Sequence, residues 1–328
     1  MAATGDAGRG LPRVGGDAAF VPMEDLAGAS HAVVDGPLLP GTVLSLSHWR
    51  GSGTPDALRD DTSALIVLRY LAADADGPEI RAVTNNHYDE DGLFAIWLLL
   101  ERPPEGSPER ALAVAAAEAG DFGTWTDPWA PRVAIAAMSM AERGATPFPE
   151  IGRILATAGS VDPAGRLYRA ILPRVAGLLA DPDRHRMLWR PRWSRIEADI
   201  ALLDAGDATV EDVPAADLAL VRSPRLLDPM ALHPRTPRMR ILTALPDGTR
   251  TVTYRYETWV DYASRPLAPR VDLTAVAARL QAQERNPVRW LFEGVEVITP
   301  RLMAAGPGGR PAPTSIPAER IVEELAAP

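Results

Sequence analysis

Ile80-Arg81-Ala82-Val83-Thr84, followed by Asn85-Asn86-His87-Tyr88-Asp89-Glu90-Asp91-Gly92 and then by Leu93-Phe94-Ala95-Ile96-Trp97-Leu98-Leu99-Leu100, is the stretch whose reading decides the fold. The first five residues have the alternating, β-branched character of a short strand. The last eight are apolar on every side, which predicts a helix buried all round. Between them lies a polar loop carrying one His and two Asp, at the end of a strand where open α/β sheets gather their ligands. Carboxylates so close together repel unless a cation neutralises them, so His87, Asp89 and Asp91 read as metal ligands.

The flanking sequence repeats the same alternation. Val43-Leu44-Ser45-Leu46-Ser47 reads as the first strand, with a polar, Gly-rich loop from His48 to Asp60 after it. Asp61-Thr62-Ser63 offers N-caps for a helix reaching about Ala73. Strand, helix, strand, helix predicts an α/β domain built on a parallel sheet flanked by helices. Helices follow at Pro108 to Ala119, stopping at Gly120-Asp121-Phe122-Gly123, and at Pro131 to Glu142, Ala164 to Leu179 and Trp193 to Asp204; Pro173 is expected to kink or divide the third. Beyond Asp212 the texture changes to strands at Asp217 to Val221, Met239 to Leu245, Thr251 to Val260 and Val288 to Ile298. The turn Pro246-Asp247-Gly248 lies between the second and third, and a helix at Val271 to Gln283 precedes the fourth. The expected organisation is a flexible tail at 1–17, an α/β domain at 18–205 with a helical block from about 147, and a smaller α+β domain at 206–328 whose stretch from Ala304 to Pro317 is loop.

Composition narrows the chemistry. The 328 residues include no Cys, which removes disulfides, thiol nucleophiles, Cys-based zinc sites and iron–sulfur clusters. All 34 basic residues are Arg, so a P-loop lysine, a pyridoxal phosphate Schiff base and a kinase phosphate lysine are excluded as well. A net charge of -9 gives no bulk attraction to nucleic acid or anionic lipid, so any such ligand would need a local patch of Arg, and bulk electrostatics argue for a small substrate. No apolar run has the length of a signal peptide or a membrane span, so the expected setting is cytoplasmic and away from the membrane.

Three known motifs share letters with the loop. An EF-hand beginning at His87 would need an acid there and a bidentate Glu at its twelfth position, which is Leu98. The haloacid-dehalogenase-like phosphatases begin with Asp-x-Asp-Gly after a strand, which would make Asp89 the nucleophile and Asp91 the acid/base; this chain lacks the Lys that family sets against the phosphate. The closest match is His-x-Asp-x-Asp-Gly at His87, Asp89, Asp91 and Gly92, which resembles the first motif of the DHH-type phosphoesterases. That resemblance implies a Mn²⁺ or Mg²⁺ site that activates water against a phosphoester or phosphoanhydride, in keeping with hard oxygen and imidazole ligands. The family's Asp-His-His triplet and Gly-Gly-Gly-His signature are absent. His48, in Leu46-Ser47-His48-Trp49, stands as the nearest remnant of the triplet, and Asp121 as a further carboxylate; each also reads simply as a polar turn residue.

The alternative for the loop itself is a solvated turn in which Asn86 or Asp89 caps the helix and His87 bonds to backbone. In the second domain, Ser264-Arg265-Pro266 resembles the Ser-x-Arg segment with which DHH phosphoesterases handle substrate phosphate. That makes Arg265 an anion binder by position and Arg270 a second candidate, with the site expected between the two domains. The functional expectation is a metal-dependent hydrolase of a small phosphorylated or nucleotide-like substrate. Its alternative is a non-catalytic binding or scaffold protein on a degenerate phosphoesterase-like fold.

Overall fold

A computed structural model describes residues 10–158 and 162–327 and divides the chain into two compact units. The first takes in residues 1–121, 125–192 and 260–265, and the second residues 122–124, 193–259 and 266–328. The described residues include no helix long and apolar enough to cross a membrane.

The first unit is an α/β layer structure. Strands β1 (Arg13–Phe20), β2 (His31–Val34), β3 (Thr42–Leu46) and β4 (Glu79–Thr84) form an all-parallel sheet in the order β1-β4-β2-β3. The pairings Phe20 with Val83, Val33 with Thr84 and Val34 with Leu46 bring the carboxyl ends of all four strands to one edge. Helix α1 (Ser63–Ala72) starts where expected, its N-cap Thr62 accepting from the Leu65 amide, and it packs on α2 (Glu90–Glu101). In α2, Glu90 through Leu99 are all buried, as an all-round apolar helix requires. Helices α3 (Pro108–Phe122), α4 (Ala130–Met140), α5 (Pro149–Thr157) and α6 (Ala164–Ala180) follow, and α7 (Arg186–Ala205) begins in this unit but from Trp193 belongs to the second.

Several boundaries differ from expectation for identifiable reasons. Residues 13–17 are not a tail: they begin β1, which buries only Val14, Gly15 and Phe20 and slips register between Val14 and Ala19, so no alternation shows. Part of the expected tail, residues 1–9, lies outside the described residues. Val43 to Leu46 belongs to the third strand rather than the first. Helix α3 runs through Gly120 to Phe122 instead of stopping. Glycine serves close approach there, because a Cβ on Gly120 would lie 2.5 Å from the Glu90 side chain. Pro173 divides nothing; α6 continues through it, as α7 does through Pro191.

The second unit carries a mixed six-stranded sheet, β5 (Thr209–Val213), β6 (Leu218–Arg222), β7 (Arg240–Ala244), β8 (Arg250–Tyr254), β9 (Arg289–Phe292) and β10 (Arg301–Ala305), in the order β5-β6-β7-β8-β10-β9. Alternation along β6 and β7 fills two cores. Leu218, Leu220 and Leu242 face one with α9 (Thr274–Gln283) and α10 (Ala318–Ala326); Ala219, Val221 and Ile241 face the other with Leu227 and Leu232, the latter from the single-turn α8 (Pro229–Leu232). The strand expected over Thr251 to Val260 stops at Tyr254 and turns into a 3-10 segment at Tyr256–Thr258. The expected strand over Val288 to Ile298 is shorter. The stretch from Arg301, read as loop from Ala304, is instead strand β10 between β8 and β9.

Candidate metal centre

The carboxyl edge of the parallel sheet collects ligand-type side chains from consecutive connections. Asp35 follows β2, His48 follows β3, and His87, Asp89 and Asp91 follow β4 on the loop and first turn of α2. Asp121 arrives from the last turn of α3. Two sets of potential ligand atoms result, each within 4.8 Å of one another: Asp35 with His87 and Asp89, and Asp35 with His48 and Asp91. Asp35 is common to both. Its Oδ1 is 3.4 Å from His48 Nε2 and its Oδ2 is 3.5 Å from His87 Nε2. Asp121 Oδ2 is 3.5 Å from His48 Nε2.

Each side chain is held by its surroundings. Asp35 has φ of 51°, a left-handed conformation that Asp tolerates better than most residues, and its Oδ1 accepts from Ser63 Oγ at 2.9 Å. His48 Nδ1 donates to the Asp61 carbonyl at 2.7 Å, which leaves Nε2 facing the acids. His87 is oriented likewise, with Nδ1 at 3.1 Å from Asn86 Oδ1 and Nε2 at 2.7 Å from Asp89 Oδ2. Asn85 fixes the loop beneath it: its Oδ1 accepts from the amides of Asn86 and His87, and its Nδ2 donates to the buried Tyr168 hydroxyl. Asp91 accepts from the Ser63 and Ala64 amides at 2.6 and 2.8 Å, at the N-terminus of α1, and Asp89 caps α2 through the Gly92 amide. The capping expected of Asp89 therefore coexists with its place in the cluster.

Burial and mutual charge shift every group of the cluster. Burial works to raise Asp35, yet the His48 hydrogen bond and the His87 charge hold it at about 2. Burial would lower His48, but its bond to Asp35 and the Asp91 charge raise it to about 9; His87 reaches about 9 through Asp89 against the same opposition. Asp91 is pushed up to about 7 by burial and by Asp35, and Asp121 well above the carboxylate range by burial and by Asp91. His48, His87, Asp91 and Asp121 are thus biased toward keeping protons, and Asp35 toward losing its own. Two carboxylate oxygens, Asp35 Oδ2 and Asp121 Oδ2, are buried without a hydrogen-bond donor. A buried acceptor left unmet costs about 1–3 kcal/mol, more when charged, and oxygens of this kind suit a cation.

Five residues singled out in the sequence, His48, His87, Asp89, Asp91 and Asp121, thus meet at one place. Asp35 was not foreseen. Its signal is Val33-Val34-Asp35-Gly36, a β-branched pair running into Asp-Gly, obscured because β2 is only four residues long. The two arginines are placed differently from one another. Arg265 is exposed, its guanidinium 5.9 Å from the Tyr262 ring. Arg270 corrects the expectation of an open anion fork: Nε donates to Thr258 Oγ1, Nη1 to the Val295 and Val297 carbonyls and Nη2 to that of Ile298, so it staples a loop of the second unit.

A parallel α/β sheet with an Asp/His cluster at its carboxyl edge defines the class: an α/β protein with a candidate metal centre. The chain belongs to a family of unknown function, DUF6687, whose match covers residues 17–327. No curated protein and no solved structure matches it.

Proposed function

We propose that this chain is a metal-dependent hydrolase of the DHH phosphoesterase-like type, using two Mn²⁺ or Mg²⁺ ions against a small phosphorylated or nucleotide-like substrate. The observation that carries the reading is the position of Asp35 between two imidazoles, with one of its oxygens buried and undonated. Asp35, His87 and Asp89 would hold one ion, and Asp35, His48 and Asp91, with Asp121 close by, the other. With both imidazoles neutral, the four aspartates carry four negative charges, which two divalent ions balance. Bound there, such ions lower the pKa of water and stabilise an in-line displacement at phosphorus.

The chain's own groups supply the rest. The Asp61 carbonyl and Asn86 Oδ1 each hold an imidazole with Nε2 turned inward. The N-terminus of α1, through the Ser63 and Ala64 amides, keeps Asp91 in place. The half-buried Trp49 ring lies beside the imidazole, its centroid 5.2 Å from that of His87. Arg265 remains the candidate for substrate phosphate.

The test is hydrolysis of a phosphoester and phosphoanhydride panel by metal-stripped protein with Mn²⁺ restored, in wild type and in Asp35→Asn. Turnover that needs Mn²⁺ and disappears in the variant supports the reading; turnover indifferent to both contradicts it. A second reading, a binding protein without turnover, draws on the use of Asp89 and Asp91 as helix caps, and predicts Mn²⁺ uptake with no hydrolysis anywhere in the panel. Trapping of a phosphoaspartate at Asp89 would instead favour haloacid-dehalogenase-like chemistry.

A further inference from the structure

A cavity of about 570 Å³ in the first unit has His87, Tyr88 and Glu90 on its wall. His87 therefore belongs both to the candidate metal centre and to the lining of this space, whose volume lies within the range of small-molecule pockets. The rest of the lining comes from α4 to α7 and their connections, with Glu142 after α4, Asp162 before α6 and Arg192 on α7, while Met138, Leu155 and Leu167 supply apolar surface.

With His87 held neutral by a metal ion, three carboxyl groups face one guanidinium there, so the wall disfavours a second anion. Glu90 adds a sharper constraint. It is only 8% exposed, lines the cavity, and among the described residues its carboxylate meets no hydrogen-bond donor beyond its own backbone amide. A buried acceptor facing a cavity asks for a donor from whatever fills it.

Resting on the metal-dependent reading above, we infer that this cavity receives the organic part of the substrate, and that this part is a short chain or ring bearing hydroxyl or ammonium donors, so the substrate is a phosphate ester of a small polyol or amino alcohol. The phosphate goes to the centre beside His87. The donors go to Glu90 and the outer carboxylates of Glu142 and Asp162, and the carbon skeleton lies against Met138 and Leu167. Glu90 is on this account a specificity-determining residue rather than a metal ligand.

The experiment compares ethyl phosphate, glycerol 2-phosphate and ethanolamine phosphate on the full chain loaded with Mn²⁺. It reads kcat/KM, or Kd by calorimetry for an ester that is not turned over, in wild type, Glu142→Gln and the double variant Glu90→Gln/Glu142→Gln. The expected result is a preference of about tenfold or more for at least one donor-bearing ester over ethyl phosphate, collapsing to about twofold in the double variant with bound Mn²⁺ unchanged. The two donor-bearing esters separate a need for hydroxyls from a need for an ammonium. Three esters treated alike by Mn²⁺-loaded wild type, or a preference that survives the double variant, would overturn the inference and leave the metal reading standing. Wild type that takes up no Mn²⁺ overturns both. Glu142 is exposed, so its single variant keeps the comparison open should the double variant not fold.

Discussion

Asp35 is where the two ligand sets converge, and its neighbours show what its charge does in the metal-free protein. It is the partner that keeps His48 protonated and one of the charges that does so for His87. Asp35→Asn is expected to remove both Mn²⁺ ions while leaving the far-ultraviolet circular dichroism of the chain intact, whereas Asp121→Asn weakens only the ion near His48; metal analysis of the two variants checks this. The same charges set a pH dependence. For His48 and His87 the folded pKa of about 9 exceeds the ordinary 6.5, so their contribution to stability is complete below pH 6.5 and is lost as pH rises through 9. Asp91 and Glu90, both raised to about 7, likewise bind protons in the folded state that the unfolded chain has released, and lose their contribution between their ordinary values and pH 7. Asp35, held at about 2, opposes this only in acid, below its ordinary value of 3.8. Metal-free protein should therefore lose thermal stability from pH 5 to pH 9, and Mn²⁺ should restore more at pH 8 than at pH 6, with protons released on binding. A metal-free melting temperature that climbs across this range would count against the cluster.

At the scale of elements, the site depends on how closely α2 approaches its supports. A Cβ on Gly92 would lie 2.4 Å from both Asn85 Nδ2 and the Tyr168 hydroxyl. Gly92→Ala should cost about 1–3 kcal/mol by overpacking, read from the denaturant midpoint, and should weaken Mn²⁺ binding by displacing the His87 loop. Tyr168→Phe, which removes only the hydroxyl that Asn85 donates to, should cost about 1 kcal/mol and produce a milder version of the same loss. These elements also show where sequence is informative. Strand β4, α1 and α2 were legible because each carries its own signal: alternation, an N-cap at Thr62, and an apolar run too long for a strand. Strands β1 and β2 were not, because one is glycine-rich with widely spaced anchors and the other too short for periodicity to register. Strand β10 was hidden by the Gly/Pro-rich segment after it; Arg301-Leu302-Met303-Ala304-Ala305 has little β propensity and gains its conformation from pairing on both sides. Arg270 was misread for a related reason, since sequence gives an arginine's chemistry but not the carbonyls that fold back to meet it.

For the molecule as a whole, the parallel sheet carries the candidate centre within the first unit, and the second is built around a mixed sheet of its own. Cation binding should thus be felt first in the connections that follow β2, β3 and β4. Hydrogen exchange with and without Mn²⁺ is expected to slow at residues 35–36, 47–49 and 85–92, and saturation at a hundredfold excess over Kd should add about 2.7 kcal/mol per ion to stability. The most direct measurement is anomalous diffraction at the manganese edge from crystals of the full chain soaked in Mn²⁺. Two peaks are predicted, one among Asp35, His87 and Asp89 and one among Asp35, His48 and Asp91. Density with no peak at either position, and with the Asp35 carboxylate bonded only to protein donors, would contradict the account.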